Sequence, residues 1–116
     1  MNGLYFINER ISIGGRTREE SITLQEQSIK KYLAEQNIQV ITLNPYQLKE
    51  HYTVPHALLY DLRQENTLFD CLIYYSMQAV EDFIFTYPAK WLILKSYFNE
   101  VIMIDQLNDW NQPYAI

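Results

Sequence analysis

The chain has 116 residues, enough for one ordinary domain with a single core. Nearly half of it is apolar and it holds ten tyrosines, which excludes an intrinsically disordered chain. A net charge of −5 argues against a free-standing nucleic-acid binder, because such binding draws on phosphate neutralisation by cations.

Leu4-Tyr5-Phe6-Ile7 reads as a buried first strand running to about Asn8 or Arg10. Residues 13–18 form a loop, where Gly14-Gly15 permits unusual backbone angles. A helix is expected to begin near Thr23, since Thr23-x-x-Glu26 has the form of a capping box. Its inward face is Ile22, Leu24, Ile29 and Leu33, with Lys30, Lys31 and Glu35 turned outward, and Asn37 stops it. Residues 38–43 are β-branched and bounded by Asn44-Pro45, which makes them the second strand.

A polar connection over residues 44–53 leads to Pro55, which suits the first turn of a second helix reaching about Gln64. That helix carries Ala57, Leu58, Leu59 and Leu62 inward. Residues 69–75 are almost continuously apolar, as expected of a central strand covered on both faces. Helical segments over residues 77–85 and 89–97 flank Pro88, the second with Trp91, Leu92 and Leu94 as its apolar side. Residues 101–104 are the last strand.

Strands alternate with helices throughout, so the expected fold is α/β. It should have three layers around a doubly wound, mostly parallel sheet of about four strands. One domain spans residues 1–107, followed by a tail over 108–116. Trp110 and Tyr114 in that tail are candidates for a contact with another chain.

Cys71 is the single cysteine and sits in an apolar run, the pattern of a buried reduced thiol in an intracellular protein. Met1-Asn2-Gly3 has no positive leader region, and no apolar stretch approaches the length of a membrane span. The expected protein is cytoplasmic, with no membrane contact. His51 and His56 lie five residues apart with Cys71 distant, so they read as surface or cap histidines, and no metal site is expected. The glycine pair lacks the third glycine of a dinucleotide fingerprint, so no cofactor is expected either.

In a doubly wound sheet, reactive groups collect at the carboxyl ends of the strands. Arg10-Ile11-Ser12 belongs at that edge. A serine there can attack a phosphodiester while an arginine holds the phosphate oxygens. The same residues also suit a plain loop serine and a surface cation.

The order of features adds to this. A strand ending in Arg10-Ile11-Ser12 is followed by a polar loop, and then Ser21-Ile22-Thr23-Leu24-Gln25-Glu26-Gln27 opens a helix. Lys31-Tyr32, Pro55 with Leu58-Leu59, Asp61-Leu62-Arg63 and Phe69-Asp70-Cys71-Leu72-Ile73-Tyr74 follow. This succession resembles the N-terminal catalytic domain of the serine recombinases (resolvases and invertases) over about residues 4–107. That family has Arg-Val-Ser after its first strand and Ser-Leu-x-x-Gln at the start of its first long helix.

The resemblance implies that Ser12 stands in the place of the nucleophile that forms a phosphoserine link to DNA. Arg10 then stands for one phosphate-binding arginine and Gln27 for the helix glutamine near the site, with Arg16 and Arg18 as further binding candidates. Three departures count against the reaction. Asn8 replaces the family's tyrosine, and Val54 replaces the arginine before the proline. Gln78-Ala79-Val80-Glu81-Asp82 stands where the family has Asp-Arg-x-x-Arg. Each lost transition-state donor costs about 10²–10³ in rate.

The expectation is therefore a degenerate serine recombinase domain without strand exchange, acting as a protein-interaction or regulatory module with a protein partner or as a homo-oligomer. Two alternatives stand beside it: an active phosphoryl-transfer enzyme using Ser12 and Arg10, and an unrelated small α/β anion-binding domain. Only a dozen residues follow Ile104, too few for the long helix and DNA-binding module that the resemblance would add. A DNA role is disfavoured on that count as well as on charge.

Overall fold

Period-two alternation along the central strands sorts their side chains onto two opposite faces, and each face is covered by its own helices. The computed structural model describes residues 1–110, with side chains through residue 107. Its elements in chain order are β1 (Asn2–Tyr5), α1 (Arg18–Glu35), β2 (Gln39–Val40), α2 (Pro55–Glu65) and β3 (Phe69–Tyr74). A 3₁₀ turn over Met77–Ala79 then leads to α3 (Glu81–Thr86), α4 (Pro88–Lys95), β4 (Phe98–Met103) and α5 (Ile104–Trp110).

The four strands lie side by side in the order β2-β1-β3-β4. Every pairing among them is parallel, with Gly3 beside Val40 on one side and Cys71 on the other, and Ile73 beside Ile102. The chain steps from β1 outward to β2, then returns to build β3 and β4 on β1's other flank. That reversal leaves a switch point between β1 and β3.

Leu4, Phe6, Leu72 and Tyr74 pack on one face with Leu58 and Leu62 of α2, Phe83 of α3, and Trp91 and Leu94 of α4. Tyr5, Ile7, Cys71, Ile73 and Ile102 pack on the other with Ile29 and Leu33 of α1 and Ile104 of α5. The result is three layers. Gly3 lets β1 and β3 close up, since a Cβ at that position would lie 2.7 Å from Cys71 Sγ.

Several boundaries differ from the sequence reading, each for a local reason. Helix α1 begins at Arg18 and not near Thr23, because Thr17 and Glu20 form the capping box. The Glu20 N–H donates to Thr17 Oγ1 at 3.1 Å, and the Thr17 N–H donates to Glu20 Oε1 at 2.9 Å. Asn37 ends the helix as expected, with φ of 55°. The Ile38 N–H reaches back to the Leu33 carbonyl at 2.9 Å and the Asn37 N–H to Ala34 at 3.3 Å, a Schellman closure.

β1 stops at Tyr5 and β2 holds only two residues, shorter than expected. Beyond them Tyr52 takes over the sheet edge. Its N–H donates to the Tyr5 carbonyl at 3.0 Å, and its own carbonyl accepts from Ile7 at 2.9 Å. α4 ends at Lys95, so β4 begins earlier than expected, at Phe98. Ile104 opens α5 instead of closing the strand, and the expected tail begins inside that helix. Ala57 and Leu92 are exposed and Leu24 is only half-buried, so the expected inward faces of all three helices are corrected at those positions. Tyr114 and the Trp110 side chain, proposed above as contacts, lie outside the described residues.

Candidate functional site

The inward stripe of α1 is Ser21, Gln25, Ile29 and Leu33, a strict four-residue spacing that starts with two polar side chains. Ser21 and Gln25 are both fully buried. Buried polar groups must find partners, and here the partners belong to the loop that follows β1. Gln25 Oε1 accepts from the Asn8 N–H at 3.0 Å, while its Nε2 donates to the Asn8 carbonyl at 2.9 Å and to the Ser21 carbonyl at 3.1 Å. Ser21 Oγ accepts from the Ile13 N–H and donates to the Thr17 carbonyl, both at 2.8 Å.

The far side of the loop is held the same way. Asn8 Nδ2 donates to the Ala79 carbonyl at 3.0 Å, and Asn8 Oδ1 accepts from the Arg10 N–H at 2.9 Å. Gln78 Nε2 donates to the Ser12 carbonyl at 3.0 Å. The loop carrying Arg10-Ile11-Ser12 is thus fastened at both ends by neutral amides and a hydroxyl.

Ser12 is exposed, and Gln78 reaches its backbone carbonyl, not its hydroxyl. Gln27 is exposed on α1, so the helix glutamine that reaches the loop is Gln25. The reason is the helical period: position 25 shares a face with Ile29 and Leu33, and position 27 does not. Arg16 donates to the Ile13 carbonyl at 3.3 Å, and Arg18 opens α1 as an exposed residue.

Arg10 lines a cleft of about 340 Å³ together with Phe6, Asn8, His56, Asp82, Phe83 and Tyr87. Its position at the ends of β1 and β3 is where an open parallel sheet offers a crevice. The His56 ring meets Phe83 at 5.1 Å and Tyr87 at 4.7 Å, both edge to face, giving the cleft an aromatic wall. Arg10 and Asp82 are both exposed, and among the described residues neither side chain makes a hydrogen bond or ion pair. Ser12 is not among the residues lining this cleft.

A second polar cluster lies across the sheet edge. His51 stacks at a tilt on Tyr5, with ring centroids 5.4 Å apart, and its Nε2 is buried without a hydrogen-bond partner. Burial, aided by Lys49, holds the His51 imidazole below its ordinary value. Burial pushes the Tyr5 phenol up, and the nearby Glu50 carboxylate pushes it further. Lys49 pairs with Glu9 at 2.6 Å and lowers that carboxyl. On the opposite face of the sheet, Tyr52 donates its hydroxyl proton to Asp61 at 2.6 Å.

Cys71 is buried, and burial with Glu100 and Asp70 nearby pushes its thiol up to about 11. A protonated thiol of that kind is a poor nucleophile. Among the described residues, no group of three His, Cys, Asp or Glu side chains is placed to hold a metal ion. No described helix is long and apolar enough to cross a membrane.

The residues that fasten the loop were not anticipated as a set. For Ser21 and Gln25 the available clue was the four-residue spacing that runs on to Leu33, while Gln78, in the 3₁₀ turn after β3, carries no such signal. Comparison with protein-family models, with curated proteins and with solved structures finds no match for this chain.

Proposed function

We propose that this chain is a catalytically silent α/β domain, a degenerate counterpart of the serine recombinase catalytic domain, that works by associating with a second copy of itself. The observation that carries the silent half is the surroundings of Arg10 and Ser12. The loop is held by Asn8, Gln25 and Gln78, and the cleft beside it is lined by the acid Asp82 as well as by a single arginine, Arg10. A phosphate transition state needs several donors converging on its oxygens, and a carboxylate in their place repels it. The parallel sheet, with its serine-bearing loop at the carboxyl edge and a polar helix start packed under that loop, is consistent with the resemblance.

The associating half rests on α3 and α4. Phe85 is 80 % exposed and Leu92 63 % exposed, with Tyr87 and Ile93 also open to solvent, all within nine consecutive residues. Exposed apolar surface of that density marks a contact region. Glu81 stands at the start of this segment and Lys95 at its end. With acid at the start of α3 and base at the end of α4, a two-fold axis that sets two copies of this segment antiparallel brings each end against its opposite.

Sedimentation of the purified chain tests this. A dimer that becomes a monomer in the Phe85→Glu/Leu92→Glu double variant is expected; a monomer at every concentration overturns the associating half. The silent half is tested by incubating the chain with nicked or intact duplex DNA and looking for a protein–DNA adduct. No adduct is expected, and a Ser12-dependent adduct, absent in Ser12→Ala, overturns it.

A further inference from the structure

We propose that the cleft at the β1–β3 switch point binds a small zwitterion with an apolar body, of the class of a free α-amino acid with an aromatic or branched side chain. This goes beyond the self-association reading: the two share Tyr87, but Phe85 and Leu92, which carry that reading and its test, do not line the cleft.

Three features lead there. The first is place and size: the cleft lies outside the carboxyl ends of the two central strands, and about 340 Å³ suits a small molecule. The second is its wall. Phe6 and Phe83 are buried aromatic residues lining the cleft, and His56 stands edge to face with both Phe83 and Tyr87. That surface receives an apolar body.

The third is charge. Arg10 and Asp82 line the same cleft from different elements, yet no ion pair joins them. Two opposite charges that face one cavity without bridging are matched by a ligand carrying both charges at a separation. A guanidinium takes a carboxylate through paired N–H donors, and a carboxylate takes an ammonium. A simple anion would meet Asp82 and a simple cation would meet Arg10, so either alone is opposed.

The backbone segments that carry the two charges are also tied together. Asn8 accepts from the Arg10 N–H through Oδ1 at 2.9 Å and donates through Nδ2 to the Ala79 carbonyl at 3.0 Å. Ala79 closes the 3₁₀ turn that leads directly into α3 and Asp82. One asparagine therefore ties the cation's loop to the acid's helix. Backbone ordered before binding lowers the free energy that binding must spend on ordering.

The test follows amide shifts of Asn8, Arg10 and Phe83 in the full chain by NMR during titration with three probes: L-phenylalanine, 3-phenylpropionate and phenethylamine. L-phenylalanine should bind with a dissociation constant in about the millimolar range or tighter, as its size allows. Removing either charge from the probe should weaken binding about tenfold or more. Arg10→Gln should weaken L-phenylalanine and leave phenethylamine unchanged or tighter. Asp82→Asn should weaken L-phenylalanine and leave 3-phenylpropionate unchanged or tighter. Both substituted side chains are exposed, and an unchanged melting midpoint checks that each variant is folded. Absence of shifts with L-phenylalanine overturns the proposal, as does 3-phenylpropionate or phenethylamine binding as tightly as the zwitterion. The Phe85→Glu/Leu92→Glu variant should bind L-phenylalanine like the unaltered chain, which separates failure here from failure of self-association.

Discussion

Gln25 holds both backbone polar groups of Asn8: its Oε1 accepts from the Asn8 N–H at 3.0 Å and its Nε2 donates to the Asn8 carbonyl at 2.9 Å. A side-chain amide thus stands in for a neighbouring strand at the point where β1 has ended. It fixes how the loop bearing Arg10 leaves the sheet, and so it shapes the cleft from a position that does not line it.

Gln25→Leu should therefore be costly. The substitution keeps the volume but strands the Asn8 N–H and carbonyl in a partly buried place, at about 1–3 kcal/mol for each group left unsatisfied. A loss of about 2–4 kcal/mol in urea unfolding is expected. Gln27→Leu, at an exposed position on the same helix, should stay within about 0.5 kcal/mol. Equal losses at 25 and 27 would contradict the inward phase assigned to α1.

Thr17→Ala removes one half of the reciprocal pair with Glu20 and should destabilise the chain by about 1 kcal/mol. Thr23 lies mid-helix and exposed, so Thr23→Ala should change stability by less than about 0.5 kcal/mol or raise it slightly. Thermal midpoints of the two variants decide where the helix begins. A larger loss at Thr23 would return the start to the later capping box.

Gly3→Ala places a methyl 2.7 Å from Cys71 Sγ, 3.1 Å from the Cys71 carbonyl oxygen and 3.2 Å from an Ile38 methyl. Overpacking of this kind should cost about 1–3 kcal/mol. Adding Cys71→Ala removes the closest of the three contacts, so the double variant should be more stable than the sum of the single losses predicts. Strict additivity in a double-mutant cycle would mean that the sulfur is not what resists the methyl.

His51 should make the protein sensitive to mild acid. Its folded imidazole is held below the ordinary value of 6.5, chiefly by burial and also by Lys49, with Glu26 and Glu9 opposing. Between those two values the unfolded chain binds the proton more readily than the folded one does. Stability is then present above about pH 6.5 and falls as the pH drops through that window. His51→Phe keeps a ring against Tyr5 and removes the titration, so its stability should vary less between about pH 7 and 5.5. Parallel slopes for both proteins would assign the effect to other groups.

The fold class was legible because it rests on local pattern. Residues 69–74 are apolar enough to be buried on both faces, Pro55 marks the start of α2, and Asn37 adopts the left-handed geometry that ends α1. Strand lengths were less legible. The residues after Val40 look like strand by composition, yet Tyr52 displaces them at the edge through hydrogen bonds that no local pattern announces.

Arg10 and Ser12 show the same division. Chain order alone put both near the carboxyl edge of the sheet, since any residue shortly after a parallel strand must emerge there. Sequence spacing could not say that Arg10 lines an aromatic cleft together with Asp82, seventy-two positions later, while Ser12 does not. Nor could it choose Gln25 over Gln27, because a glutamine's role depends on which face of its helix meets the sheet. Composition and periodicity determine the elements, whose forces act between near neighbours. Only packing decides which distant polar groups are brought together, because that depends on the joint phase of every helix and strand around them.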